Sequence, residues 1–398
     1  LMESKKVTKR RHRGDTVHHH PSTPSRATTT EFAKPVFLVG ALMAEQPSSY
    51  SVFMVDAAAV AGGNEPPPSA RTLAVLPGAE HGMSFVAAHS KHGTWIVGVG
   101  GLGGSTIIYE PSTPAAGTLR GPELSVPKEE PILISHGGKV YAISRRPKVH
   151  RRLNLDFPPW FESLSFKKGV ACIYHDGCPS WKSLPPPPCF PCSLDPWDFR
   201  YPPDISVSSY AAVGSHILLS LQQEETGTYA FHVVEKTWEK VCDKNLPFVG
   251  QAVPIAGSLF AACRVMPNSA SATAASVFHM SIEVSTPLVP DRDSRWHRRE
   301  RFPGCSSAQW EGAASVPPGL GPVAKAAKPN TKDLQIILTA FQMDNVDAIL
   351  TACQTESAKA KDLRGSVQVK QENQIYKFKN GSRFLASSHM PVVAALSM

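Results

Sequence analysis

A short apolar pattern recurs along this chain, and it restricts the fold more than any other feature. Each copy has a glycine turn, four or five apolar residues, a polar loop and a second strand-like run, sometimes followed by a tryptophan. The clearest copy reads Gly214-Ser215-His216-Ile217-Leu218-Leu219-Ser220, then Gly227-Thr228-Tyr229-Ala230-Phe231-His232-Val233, and ends at Trp238. Related copies start at Gly93, Gly138 and Gly257. A lone hairpin cannot bury its apolar face, so hairpins repeated every few tens of residues imply a radial or stacked all-β architecture.

The 42% hydrophobic content supports a real core, and 19% charged residues is too few for a wholly disordered chain. Residues 1–34 hold eight Lys/Arg against three Asp/Glu, which leaves only +3 of the whole-chain +8 for the rest. The charge is thus a property of the tail: a disordered basic segment with Lys5, Lys6, Lys9, Arg10, Arg11 and Arg13. It reads as a nuclear import signal, with a chloroplast or mitochondrial transit peptide as the alternative, placing the protein in the nucleus or cytoplasm. Eight cysteines in 398 residues are too sparse for a secreted disulfide scaffold, and no apolar run reaches membrane-spanning length.

Folded structure is expected from residue 35 to 398, with strands at Val36–Val39, Tyr50–Val55, Thr94–Val99, Thr106–Tyr109, Lys139–Ser144, Trp160–Phe166 and Ser258–Val265. Residues 178–203, with Pro185-Pro186-Pro187-Pro188, read as a proline-rich loop insertion on the surface. Leu334, Ile337, Leu338 and Phe341 fit helical spacing as well as strand.

The pattern resembles the kelch-type β-propeller, in which an apolar strand ends near a glycine pair and a tryptophan follows the aromatic of the next strand. Trp95-Ile96-Val97-Gly98-Val99-Gly100-Gly101 with Ile107-Ile108-Tyr109 matches the first half, and Phe231 with Trp238 the second. The stretches Gly138–Ser144, Trp160–Leu164, Trp181–Pro188, Ser209–Gly214 and Leu246–Ala252 are similar to an uncharacterised family of kelch-like proteins expanded in rice and other grasses. The resemblance implies a degenerate propeller of about six blades. Its repeat core would be Trp95, Tyr141, Trp160, Trp181, Tyr229, Phe231 and Trp238.

Three motifs invite chemistry. Gly98-Val99-Gly100-Gly101-Leu102-Gly103 satisfies G-x-G-x-x-G, but the β-branched run that follows, stopped by Pro111, is a strand, whereas a dinucleotide site needs a helix there. Cys189-Phe190-Pro191-Cys192, with Cys172, His175 and Cys178 upstream, supplies one tight pair where zinc usually takes two. Arg295-Trp296-His297-Arg298-Arg299-Glu300-Arg301 is basic and aromatic but interleaved with acids, which argues against nucleic acid. The expectation is therefore a non-enzymatic scaffold that binds a protein partner through loops at 178–203 and 266–276, without cofactor, metal or membrane. A propeller-based metalloenzyme with a galactose-oxidase-like copper site or a zinc site is the alternative.

Overall fold

The computed structural model describes residues 36–42, 49–55, 71–90, 93–114, 117–147, 159–166, 180–191, 204–223, 226–265, 273–282, 307–308, 335–343, 369–377 and 392–397. Among these residues the structure is all-β, with no α-helix.

The chain opens with β1 (Val36–Leu42), β2 (Ser49–Val55) and β3 (Arg71–Leu76). Next come β4 (Met83–Ser90), β5 (Gly93–Gly100), β6 (Ser105–Tyr109) and β7 (Thr118–Arg120), then β8 (Ile132–His136), β9 (Lys139–Ile143), β10 (Phe161–Ser165) and β11 (Lys182–Ser183). A further run holds β12 (Val207–Val213), β13 (His216–Leu221), β14 (Thr228–His232) and β15 (Thr237–Cys242). The last comprise β16 (Phe248–Ala256), β17 (Leu259–Val265), β18 (Thr273–His279), β19 (Ser307–Ala308), β20 (Gln335–Met343), β21 (Val369–Lys377) and β22 (Val392–Ser397).

These strands pair as antiparallel meanders. The first sheet has the order β22-β1-β2-β3, so the first and last described strands meet in one sheet. The second is β4-β5-β6-β7 and the third β8-β9-β10-β11. The fourth meander (β12–β15) and the fifth (β16–β19) merge through a short parallel pairing of Ser209–Ala211 with Gly250–Ala252. β20 and β21 form a separate pair. The leading strands lie side by side in chain order: β22 against β4, β4 against β8, β8 against β12, and β12 beside β16.

Four apolar clusters fill the spaces between successive sheets. Phe37, Tyr50 and Val52 of the first sheet meet Phe85, Ile96 and Ile107 of the second. The other face of the second sheet, with Trp95, Val97, Val99 and Ile108, meets Leu133, Val140 and Leu164 of the third. The third and fourth are joined by Ile134, Tyr141, Phe161, Ile217, Leu219 and Phe231, and the fourth and fifth by Leu218, Ala230, Phe248, Phe260 and Phe278. Because inner strands are covered on both faces, they read as unbroken apolar runs rather than as alternation. Fourth strands face water, as the exposed Lys182 and Ser183 of β11 show.

The repeat glycines sit in equivalent turns. Gly138, Gly214 and Gly257, at φ of 70°, 56° and 53°, lie in the tight turns between first and second strands. A side chain is disfavoured in that left-handed region, which explains glycine there. The glycine at 98 has a different cause. A Cβ on it would lie 2.6 Å from Phe85 Cε1 and 2.8 Å from Ile107 Cγ1, its neighbours on β4 and β6. Gly98→Ala is therefore expected to destabilise by about 1–3 kcal/mol through overpacking. An unchanged denaturation midpoint would show that β4 and β6 do not close over this position.

Two expectations need revision. The described part of the proline-rich stretch, residues 180–191, is not a surface excursion: it contains β11, and Trp181, Leu184 and Phe190 are buried. Proline removes backbone donors without making a segment polar, so prolines flanking large apolar side chains can line a core. The run left open between helix and strand is strand from Gln335 on: β20 pairs residue for residue with β21 from Gln335↔Lys377 to Met343↔Val369, and Leu334 lies outside the described residues.

Candidate functional site

In the second and fourth sheets the turn after the second strand lies against a passage between sheets. Side chains in the passages clamp those turns. The Glu80 carboxylate accepts from Gly103 N–H at 2.8 Å and Ser105 Oγ at 2.7 Å. The Ser105 hydroxyl, the Gly103 amide and the nearby Arg120 cation hold the Glu80 pKa below the ordinary carboxylate value. Asn245 does the same work two sheets on, accepting from Gly227 N–H at 2.8 Å and donating to Leu221 O at 3.0 Å and Gln223 O at 2.7 Å. This geometry also settles the glycine motif at 98–103: it is the end of β5 and a hairpin turn leading into β6, with the Gly103 amide occupied by Glu80.

A polar seam runs from the first sheet to the fourth. The phenol of Tyr50 on β2 is hydrogen-bonded by the amide of Gly82 and lies within the field of Glu130; burial raises its pKa above the usual value, and Glu130 adds to the rise. Glu130 itself is exposed and adopts φ of 46°, uncommon for a residue other than glycine. Its N–H donates to Gly82 O at 2.6 Å, and its carbonyl accepts from Arg145 Nε at 3.1 Å. Arg145 is half-buried; its guanidinium also bonds the phenol of Tyr210 on β12, and its carbonyl accepts from Val207 N–H at 3.0 Å. Burial raises the Tyr210 pKa, and the Arg145 cation opposes that rise.

Beneath the seam lies a fully buried ion pair. Lys128, in the passage to β8, bonds Glu162 on β10, with side-chain exposures of 2% and 0%. Glu162 also accepts from Ser125 N–H at 3.1 Å, so it ties the passage to the third sheet at two points. Burial lowers the Lys128 pKa from its ordinary value, and the Glu162 carboxylate offsets part of that.

Of the aromatic residues singled out by the repeat, Trp95, Tyr141, Trp160, Trp181 and Phe231 are buried, while Tyr229 and Trp238 are half-buried. Trp95 and Trp181 join the cluster between the second and third sheets, and the other five that between the third and fourth. Two of the indoles make the same bond in successive sheets. Trp181 Nε1 donates to Pro122 O at 3.1 Å and to Thr106 Oγ1 at 3.0 Å, and Trp238 Nε1 donates to Pro185 O at 2.8 Å. Pro122 and Pro185 each lie two residues beyond the fourth strand of the preceding sheet.

Among the described residues no group of three His, Cys, Asp or Glu side chains is placed to hold a metal. Cys189 is half-buried, whereas Cys172, His175, Cys178, Cys192, the basic tail and the 295–301 patch lie outside the described residues. So do most of the 266–276 loop and residues 192–203. Sequence reasoning missed Glu80, Lys128, Glu130, Arg145, Glu162 and Tyr210. One signal was readable: Glu162 interrupts the apolar run Trp160–Leu164, and a carboxylate inside a buried strand requires a cation.

No curated protein matches the chain. Among solved structures it is similar to one described as a puromycin-hydrolyzing peptidase of Mycobacterium tuberculosis, at 10% identity and a TM-score of 0.21. That likeness covers 67% of this chain and only 56% of the other, and at such a score it carries nothing about activity. The model of the family described as "Protein of unknown function (DUF1668)" matches residues 35–307, and the chain belongs to that family.

Proposed function

We propose that this protein is a kelch-like β-propeller of about six blades that acts as a non-enzymatic scaffold, docking a protein partner at the end that carries the polar seam. Support for the radial reading comes from consecutive meanders with neighbouring leading strands, the first and last described strands paired in one sheet, and the repeated indole-to-prolyl bond. The observation that carries the functional reading is the seam. Turns clamped by Glu80 and Asn245 flank Glu130 and Arg145, which reach solvent from backbone positions fixed by hydrogen bonds. Rigid, partly exposed polar groups on loops above a packed scaffold are what specific protein recognition requires. In this reading the protein works in the nucleus or cytoplasm of a plant cell.

Affinity purification from plant tissue tests the reading, comparing the wild-type chain with the Glu130→Ala/Arg145→Ala double variant and with deletion of 192–203. Loss of a specific partner from the double variant is the expected result. Identical partner sets in all three would overturn the seam as the docking end. Stoichiometric copper or zinc in the purified protein would instead favour an enzyme.

A further inference from the structure

A histidine pair lies on the fourth sheet, and the seam does not involve it. His216 on β13 and His232 on β14 are directly opposed in the antiparallel register, with ring centroids 4.7 Å apart at 69°. His216 is buried, and its Nδ1 lies 3.2 Å from Ser215 Oγ. His232 Nδ1 accepts the backbone N–H of Glu235 at 3.0 Å, which closes the β14–β15 turn together with Lys236 N–H to His232 O at 2.8 Å. The Glu235 carboxylate stands 3.9 Å from the same Nδ1.

These contacts assign a tautomer. A ring nitrogen that accepts an amide proton carries no proton itself, so Nδ1 of neutral His232 is bare and Nε2 holds the hydrogen. Protonation would place a second proton at Nδ1, facing the Glu235 N–H, and replace a hydrogen bond by repulsion. The Glu235 carboxylate is within reach to take over as partner. Two imidazoles this close also disfavour double protonation, because like charges repel.

The charged groups facing His216 are Glu239 on β15 and Glu235 in the turn, both of which favour a proton on His216. Burial, followed by His232, lowers the His216 pKa below its ordinary value, and of the two rings the half-buried His232 is the more accessible. On the same face of the fourth sheet, Leu218 and Ala230 pack with Phe260, Ala262, Phe278 and Met280 of the fifth. His136 is nearby, bonded to the backbone of Gly214, and its pKa is lowered by burial.

We propose that the His216–His232 pair is a proton-responsive latch on the β14–β15 hairpin: closed by the Glu235 amide on neutral His232, and released when one proton enters the pair. Release exchanges the amide bond for an ion pair with the Glu235 carboxylate and reshapes the turn carrying Val234, which is already 75% exposed. A proton taken up on acidification is thereby converted into a local change at the end of the molecule opposite the seam.

Hydrogen exchange of the full-length protein, read on peptides covering 228–242 and corrected for the intrinsic pH dependence of exchange, tests this. Protection of the hairpin should fall about fivefold to tenfold between pH 7.5 and 5, the equivalent of one net hydrogen bond. Peptides of the second sheet should keep theirs. His232→Asn, whose side-chain oxygen replaces the acceptor and does not titrate, should hold the hairpin protected at both pH values. His216→Asn removes the repelling ring and should move the opening to higher pH. Equal wild-type protection at both pH values would overturn the latch. So would loss of protection in His232→Asn at pH 5, or a parallel loss across every sheet.

Discussion

Glu162→Gln is expected to destabilise the fold by about 3–5 kcal/mol, the cost of leaving a buried charge without its counter-charge. The substitution preserves the size of the side chain and an oxygen for the Ser125 amide, so the loss isolates the charge. Among the described residues Lys128 has no second anion to turn to: its other hydrogen bond is to the neutral Val126 carbonyl, at 3.4 Å. Folding would have to strip the ammonium of water or expel the 125–128 passage from between the sheets. Replacing both partners, in Lys128→Met/Glu162→Leu, should recover most of the stability, because an apolar pair of similar volume needs no desolvation of charge. Chemical denaturation of the two variants checks this. A Glu162→Gln midpoint equal to wild type would mean that Lys128 reaches solvent.

Trp181→Ala is expected to cost about 3–5 kcal/mol, as for other large aromatic truncations in a core. Its ring is 6% exposed between the second and third sheets, and its indole N–H satisfies both Thr106 Oγ1 and Pro122 O. Trp181→Phe keeps most of the packing but strands those acceptors, which should cost about 1–3 kcal/mol. Trp238, although it matches the repeat signature best, is only half-buried, so Trp238→Ala should lose roughly half as much by the area it covers. Comparing the three thermal melts decides the order. If Trp238→Ala proved the most damaging, the third and fourth sheets would have to close more tightly over its ring.

The pairings of β5 with β6 and of β9 with β10 were legible from residues 94–109 and 139–166, because apolar runs bounded by Gly and Pro are local signals. The seven aromatic residues drawn from the pattern are buried or half-buried, but Phe161, Phe248 and Phe278, which are fully buried between sheets, were not among them. Strands such as β3, with Arg71-Thr72-Leu73, and β7, with Thr118-Leu119-Arg120, lie towards or at the outer edge of a sheet, where water is an acceptable neighbour and no apolar pattern is imposed. The site was less legible still. Glu130, Arg145 and Tyr210 are separated by 15 and 65 positions, and nothing local distinguishes them from other polar residues of a loop or strand.

By itself the sequence determined a repeating all-β chain: glycine at turns needing left-handed backbone, and apolar runs long enough to be covered on both faces. Tertiary structure alone decided which charges meet. It set Lys128 against Glu162, Glu80 under a turn 23 residues away, and His216 opposite His232. The physical reason is range. Turn chemistry and strand patterning act over a few bonds, whereas a buried charge or a shared proton depends on the side chains that packing brings within a few ångströms, however distant in the chain.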